Sequence, residues 1–293
     1  MVLRASPCGK VGRNSGIAGP PNESVCLIAR SVLTDQAISH RGGQTQEACM
    51  TTLSQTARTF VLIHGASHGG WCYDRVAAIL RSQGHQVFAP TLAGLAERAS
   101  MDARQINLTT HIDEVVDLFE REDLNDVILC GHSYGGMVIA GVADRIADRI
   151  GHLVFLDSVL PESGKCMNDY VFPGWRLLPI LLSVWLFGRG YKLTPPPPAW
   201  YFNVNKADRP MVNQRLTGHP FKTLTERIQI GNNADLIAKH TYIYATNWGN
   251  SQIAKQYELA KKREGWKTFE VDSGHDVMID APDDLARILI SAS

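Results

Sequence analysis

The sequence predicts an α/β protein: a mostly parallel sheet with helices on both of its faces. Two observations carry that expectation. Short apolar, β-branched runs alternate with helical stretches, the order a parallel sheet needs. The runs are apolar at nearly every position instead of every second one, as in strands covered on both faces.

Thr59 to Ile63 (TFVLI) predicts the first strand, which stops at His64-Gly65. Asp74 to Gln83 reads as a helix and Gln86 to Ala89 as a second strand, ended by Pro90. Thr110 to Glu120 sets Ile112, Val115, Val116 and Phe119 on one helical stripe. Asp126 to Cys130 (DVILC) is a third buried strand, and the helix after Ser133 spaces Val138, Val142 and Ile146 by four. His152 to Leu156, Thr241 to Ala245 and Lys267 to Val271 supply three more strands. Asp283 to Ile290 predicts a closing helix, with Pro282 and two acids where a helix N-terminus favours them.

The alternation breaks between Leu160 and about Ala238, which hold Trp175, Trp185, Trp200, the tetraproline Pro195 to Pro198 and an apolar block from Leu177 to Phe187. That block is too short for a membrane span, which takes about 20 residues. It reads either as a cap over a pocket or as an amphipathic element lying on a membrane. Insertion between sheet strands, where ligand-covering lids belong, favours a cap over about 160–238. Residues 1–56 are rich in Gly, Ser, Thr, Gln and Asn and read as a disordered extension, with a folded domain over 57–293. Arg4, Lys10 and Arg13 precede the first acid, Glu23, as in an organelle transit peptide, but no amphipathic helix accompanies them.

Composition excludes several classes. With 29 Lys+Arg against 29 Asp+Glu the chain lacks the basic footprint of a nucleic-acid binder. None of the six cysteines forms a C-x-x-C pair, so zinc ribbons and thioredoxin-type redox pairs lose their signature, and reduced thiols in a cytoplasmic protein are expected.

Three motifs carry chemistry. Gly131-His132-Ser133-Tyr134-Gly135-Gly136 matches G-x-S-x-G between a buried strand and a helix. That context makes a nucleophile elbow: a serine on a tight turn, its hydroxyl held out of the sheet edge, with glycines where side chains would collide. His64-Gly65-Ala66-Ser67-His68-Gly69-Gly70-Trp71 follows the first strand. Ester hydrolysis passes through a tetrahedral oxyanion. Its two expected donors are the backbone N–H groups of Tyr134, next to the nucleophile, and of Ala66 in this loop. His64 and His68 read as residues packing that loop. Asp272-Ser273-Gly274-His275-Asp276 lies between the last strand and the last helix, which selects His275 as the base. His85, His111, His152 and His219 read as surface or packing residues.

On these motifs the segment from about 58 to 293 resembles the α/β-hydrolase superfamily. HGASHGGW and GHSYGGM are similar to the branch that holds plant methylesterases of the salicylate-binding-protein type and hydroxynitrile lyases. VFLDSVLPESG from Val154 to Gly164, and GHDVMIDAP near the end, extend the likeness. The resemblance implies an α/β-hydrolase fold with a helical cap, and a Ser–His–acid esterase or lyase that uses no metal and no organic cofactor. The partner it implies is a small-molecule ester, with a homodimer left open.

One element departs from the branch, which usually places its acid just after the strand corresponding to Thr241 to Ala245. That loop here reads Thr246-Asn247-Trp248-Gly249-Asn250-Ser251, without a carboxylate. Three explanations compete: Asp157 supplies the acid from the end of the preceding strand, Asn247 orients His275 weakly, or the protein binds without turnover. A carboxylate at a strand's C-terminal edge lies on the functional side of such a sheet, which favours Asp157. Asp272 and Asp276 flank His275 too closely to fold back onto its ring. The expected activity is hydrolysis of a small hydrophobic ester by Ser133, His275 and Asp157. The rivals are a cyanohydrin lyase, disfavoured by the retained Gly65, and a ligand receptor with little turnover.

Overall fold

The computed structural model describes residues 57–171 and 174–292; the expectations for 1–56 lie outside the described residues. The chain enters β1 (Thr59–Ile63), turns through α1 (Asp74–Ser82) to β2 (Gln86–Phe88), and runs through α2 (Leu108–Arg121) to β3 (Val127–His132). Next come α3 (Gly135–Ile146) and β4 (Ile150–Leu156). An insert follows, with α4 (Met167–Val171), α5 (Leu177–Leu186), β5 (Lys192–Leu193), α6 (Arg209–Arg215), β6 (His219–Pro220) and α7 (Phe221–Thr225). The main sheet resumes with β7 (Lys239–Ala245), α8 (Ser251–Lys261) and β8 (Trp266–Val271), and the described chain closes with α9 (Val277–Asp280) and α10 (Pro282–Ala292).

The six main strands lie in the order β2-β1-β3-β4-β7-β8, every neighbouring pair parallel. Alternation along each strand explains why both faces are apolar. Val61, Ile63, Leu129, Leu153 and Phe155 enter one core, beneath α2, α3 and α8. Phe60, Leu62, Ile128, Cys130, Val154 and Leu156 enter the other, beneath α1 and α10. The helix starting at Leu108 is set by Asn107, whose Oδ1 accepts the Thr110 N–H at 2.8 Å while Thr110 Oγ1 accepts the Asn107 N–H at 3.3 Å. That reciprocal cap typically stabilises a helix by about 1 kcal/mol.

The insert pairs β5 with β6 in an antiparallel ladder of its own. Its α5 is apolar except for Ser183, yet among its described side chains only Val184 is buried; Leu178, Leu182, Trp185 and Leu186 are more than half exposed.

Candidate active site

Ser133 sits where β3 ends and α3 begins, with φ +52°, in the left-handed region. The sequence supports this turn by removing side chains around it. A Cβ on Gly131 would lie 2.5 Å from the Gly135 carbonyl oxygen, and one on Gly135 would lie 2.6 Å from that of Ile63. The turn is tied down on both sides: the Ser133 N–H donates to Leu156 O at 3.1 Å, and Ser158 Oγ donates to Ser133 O at 2.6 Å. Neither the Tyr134 N–H nor the Ala66 N–H has a hydrogen-bond acceptor among the described residues.

Asp157, also left-handed at φ +41°, terminates β4 and is fully buried. Its N–H donates to Ile243 O at 2.7 Å, and its Oδ1 accepts the Ala245 N–H at 3.0 Å. The carboxylate of β4 is thus held at the end of the neighbouring β7. Its other oxygen, Oδ2, accepts the His275 Nδ1–H at 2.6 Å. Burial pushes the Asp157 carboxyl up, while the Ala245 N–H favours the anion. Burial pushes His275 down to about 3, against the raising field of Asp276, so the imidazole is neutral at neutral pH.

The base is held by its backbone as well. The His275 N–H donates to Phe202 O at 2.8 Å, and His132 Nε2–H donates to His275 O at 3.0 Å. Trp248 stacks on the imidazole at 3.7 Å between ring centroids, and Phe202 packs beside it at 5.7 Å. Asn247 does not face the ring. It is exposed, and its Nδ2 donates to Asp272. The weak orienting dyad through Asn247 is therefore corrected: Trp248, the next residue, is the one turned to His275.

His64 fixes the peptide unit that carries the Ala66 N–H. Its Nδ1–H donates to Gly65 O at 2.8 Å, and its Nε2 accepts the Leu92 N–H at 3.1 Å. Burial lowers His64 to about 3, so it holds this neutral form. His68 does more than pack. Nδ1–H donates to Ala66 O at 2.8 Å, and Nε2 lies 3.1 Å from Asp276 Oδ2.

The histidines read as surface or packing residues are all buried, so a surface placement is corrected. His111 accepts the Tyr134 hydroxyl proton at Nδ1 (2.9 Å) and donates Nε2–H to Ala93 O (2.9 Å). His219 accepts the Ser67 N–H at 3.0 Å and donates to Thr223 Oγ1 at 2.7 Å, its ring edge-on to Tyr134 at 4.9 Å. His152 bonds Thr241 Oγ1 and His85 accepts the Arg58 N–H, both at the opposite end of the strands. Sequence reading missed Ser158, Trp248 and Phe202. Trp248 alone had a signal, in the loop where relatives carry the acid.

Among the described residues no group of three or more His, Cys, Asp or Glu is placed to hold a metal ion. The arrangement offers a carboxylate-backed imidazole and two unengaged N–H groups; among the described residues no hydrogen bond joins Ser133 Oγ to His275.

Known proteins share this framework. The sequence pattern described as Alpha/beta hydrolase family matches residues 60–288. The carbendazim hydrolyzing esterase of a Nocardioides species is 40% identical over 238 residues, covering 78% of this chain and 97% of that protein. Methylesterase 2 of Arabidopsis thaliana is 34% identical over 106 residues, 36% of this chain and 40% of that one. Among solved structures, an extracellular alpha/beta-hydrolase from a Paenibacillus species superposes with a TM-score of 0.66 at 23% identity, covering 80% of this chain and 99% of that one. Its description states structural and functional homology to tobacco salicylic acid binding protein 2.

Proposed function

Because the chain belongs to the alpha/beta hydrolase family, we propose that it cleaves small, hydrophobic carboxylic esters through an acyl-enzyme on Ser133. The observation that carries the mechanism is the 2.6 Å bond from His275 Nδ1–H to the buried Asp157 carboxylate. With its proton fixed on Nδ1, the imidazole offers Nε2 as the base.

Ser133 Oγ attacks the ester carbonyl as His275 Nε2 takes its proton. The Ala66 and Tyr134 N–H groups hold the oxyanion, a contribution of roughly 3–4 kcal/mol per donor in comparable sites. Asp157 stabilises the imidazolium. His275 then protonates the departing alcohol, and water, activated by the same base, releases the acid. The receptor reading rested on the missing carboxylate after β7; Asp157, held at that strand's end with its carboxylate on His275, supports turnover instead. The apolar insert over 160–238 acts as the cap: its Phe202 packs beside His275, and Ser133 is only 9% exposed, which favours hydrophobic acyl or alcohol groups. Cys72, Cys130 and Cys166 are free, as in a reducing compartment such as the cytoplasm. No described helix is long and apolar enough to cross a membrane.

Rapid mixing with a p-nitrophenyl ester tests the reading. A burst of p-nitrophenol stoichiometric with enzyme supports it, provided Ser133→Ala abolishes the burst. A burst that survives in Ser133→Ala rejects it.

A further inference from the structure

Asp276 and His68 form an ion pair at the edge of the site, both essentially without solvent exposure. The proton count follows from the partners. His68 Nδ1 faces the Ala66 carbonyl oxygen, which only accepts. Nε2 faces a carboxylate oxygen, which only accepts when ionised. With Asp276 ionised both ring nitrogens donate and His68 is an imidazolium, whereas a protonated Asp276 would donate to a neutral Nε2. Burial works against both charges, but each partner outweighs it: Asp276 raises His68, and His68 holds Asp276 at about 2.

The pair joins two loops that the reaction needs in register. His68 belongs to the loop after β1 that carries the Ala66 N–H. Asp276 follows His275 directly. A third tie runs from the elbow, where His132 donates to the His275 carbonyl.

We propose, on the ester-cleaving reading above, that His68 and Asp276 are positioning residues. As a buried ion pair they clamp the oxyanion loop against the loop of the base, and they cancel each other's field at the imidazole. Neither touches the reacting atoms. The other ionisable groups around His275 are neutral or engaged: Asp280, at the end of α9, accepts the Gly274 N–H at 3.2 Å and the Asn205 N–H at 3.0 Å. Asp157, from the end of β4, binds Nδ1. His132, from the elbow, is neutral, since burial and the neighbouring His275 hold it well below the usual range. Asp272, on the base's own loop, is engaged by Asn247. Trp248 and Phe202 carry no charge. Asp276 and His68 remain as the opposed pair.

Two measurements test this. In the wild type, ¹⁵N NMR of His68, assigned by the signal lost in His68→Gln, should show both ring nitrogens protonated from about pH 5 to pH 8, where an unpaired histidine titrates near 6.5. A normal titration overturns the proposal, whatever the variants do. In kinetics, His68→Gln keeps an N–H but no charge and leaves Asp276 unbalanced beside the base. It should lower kcat on the order of 10²-fold with little change in KM. The acid limb of kcat/KM should move up by about one pH unit, and Asp276→Asn in the same chain should bring it back. A purely structural pair would leave that limb in place. Ser133-dependent turnover with an unmoved limb in His68→Gln sinks this inference alone; a wild type with no Ser133-dependent turnover sinks the ester-cleaving reading and this one with it.

Discussion

At the scale of single residues, His275 is the group whose state decides turnover. It must be neutral to accept the Ser133 proton. Burial disfavours its charged form and brings it down to about 3, so the neutral base persists well below the ordinary histidine range. For Ser133-dependent hydrolysis, kcat/KM should therefore stay flat from about pH 8 to about pH 5, with no break near 6.5. A half-maximal point between pH 6 and 7 on the acid side would mean that the Asp157 anion outweighs burial and restores an ordinary imidazole. Ser133→Ala and His275→Ala should each remove nearly all turnover, to similar extents, because members of such a unit are not additive. The residual rate should be roughly 10³–10⁴ over water, from oxyanion and binding contacts alone. Steady-state assays on purified variants check this, and retention of most activity by either variant would reject the mechanism.

At the scale of elements, the elbow is a steric statement about β3 and α3. Gly131 faces the Gly135 carbonyl so closely that any Cβ must push the first turn of α3 outward. Gly131→Ala should lower stability by about 1–3 kcal/mol and lower kcat as well, since Ser133 moves with that turn. Thermal melts beside kcat measure both; a variant with unchanged melting and turnover would show that the turn has room to spare. The inner strands β1, β3 and β4 were legible because both faces of each are apolar. Strand ends ran one or two residues past the apolar runs, as at Ile150 and Lys239, where ladder hydrogen bonds continue regardless of side chain. Ser133 and His275 were legible from motif and position. The 68–276 pair was not: it joins residues 208 apart, and no local pattern at either end announces the other. The roles of Trp248 and Phe202 were hidden for the same reason, since stacking on His275 depends on how three loops converge.

At the scale of the whole molecule, every described strand of the main sheet lies between Thr59 and Val271. Deleting residues 1–56 should leave melting temperature and esterase rate essentially unchanged; a large drop in melting temperature would assign that segment a structural role. The sheet order also explains the unusual acid. β4 and β7 are neighbours, with Leu156 paired to Ile243, so a carboxylate one residue past β4 reaches the Ala245 N–H at the end of β7. Asn247→Asp should accordingly change little in the native chain and fail to rescue Asp157→Asn, because residue 247 is exposed and directed at Asp272 instead of the imidazole; kcat of the double variant measures it.

The central claim is that Asp157 is that anion, and its most direct measurement is kcat of Asp157→Asn on an activated ester, with circular dichroism to establish that the variant is folded. An amide at 157 can hold the imidazole in the wrong tautomer and cannot stabilise its charged form. A fall in kcat on the order of 10⁴ is the result this structure predicts. A folded Asp157→Asn variant that keeps kcat within about tenfold of the wild type, too small a loss for a triad carboxylate, would contradict it.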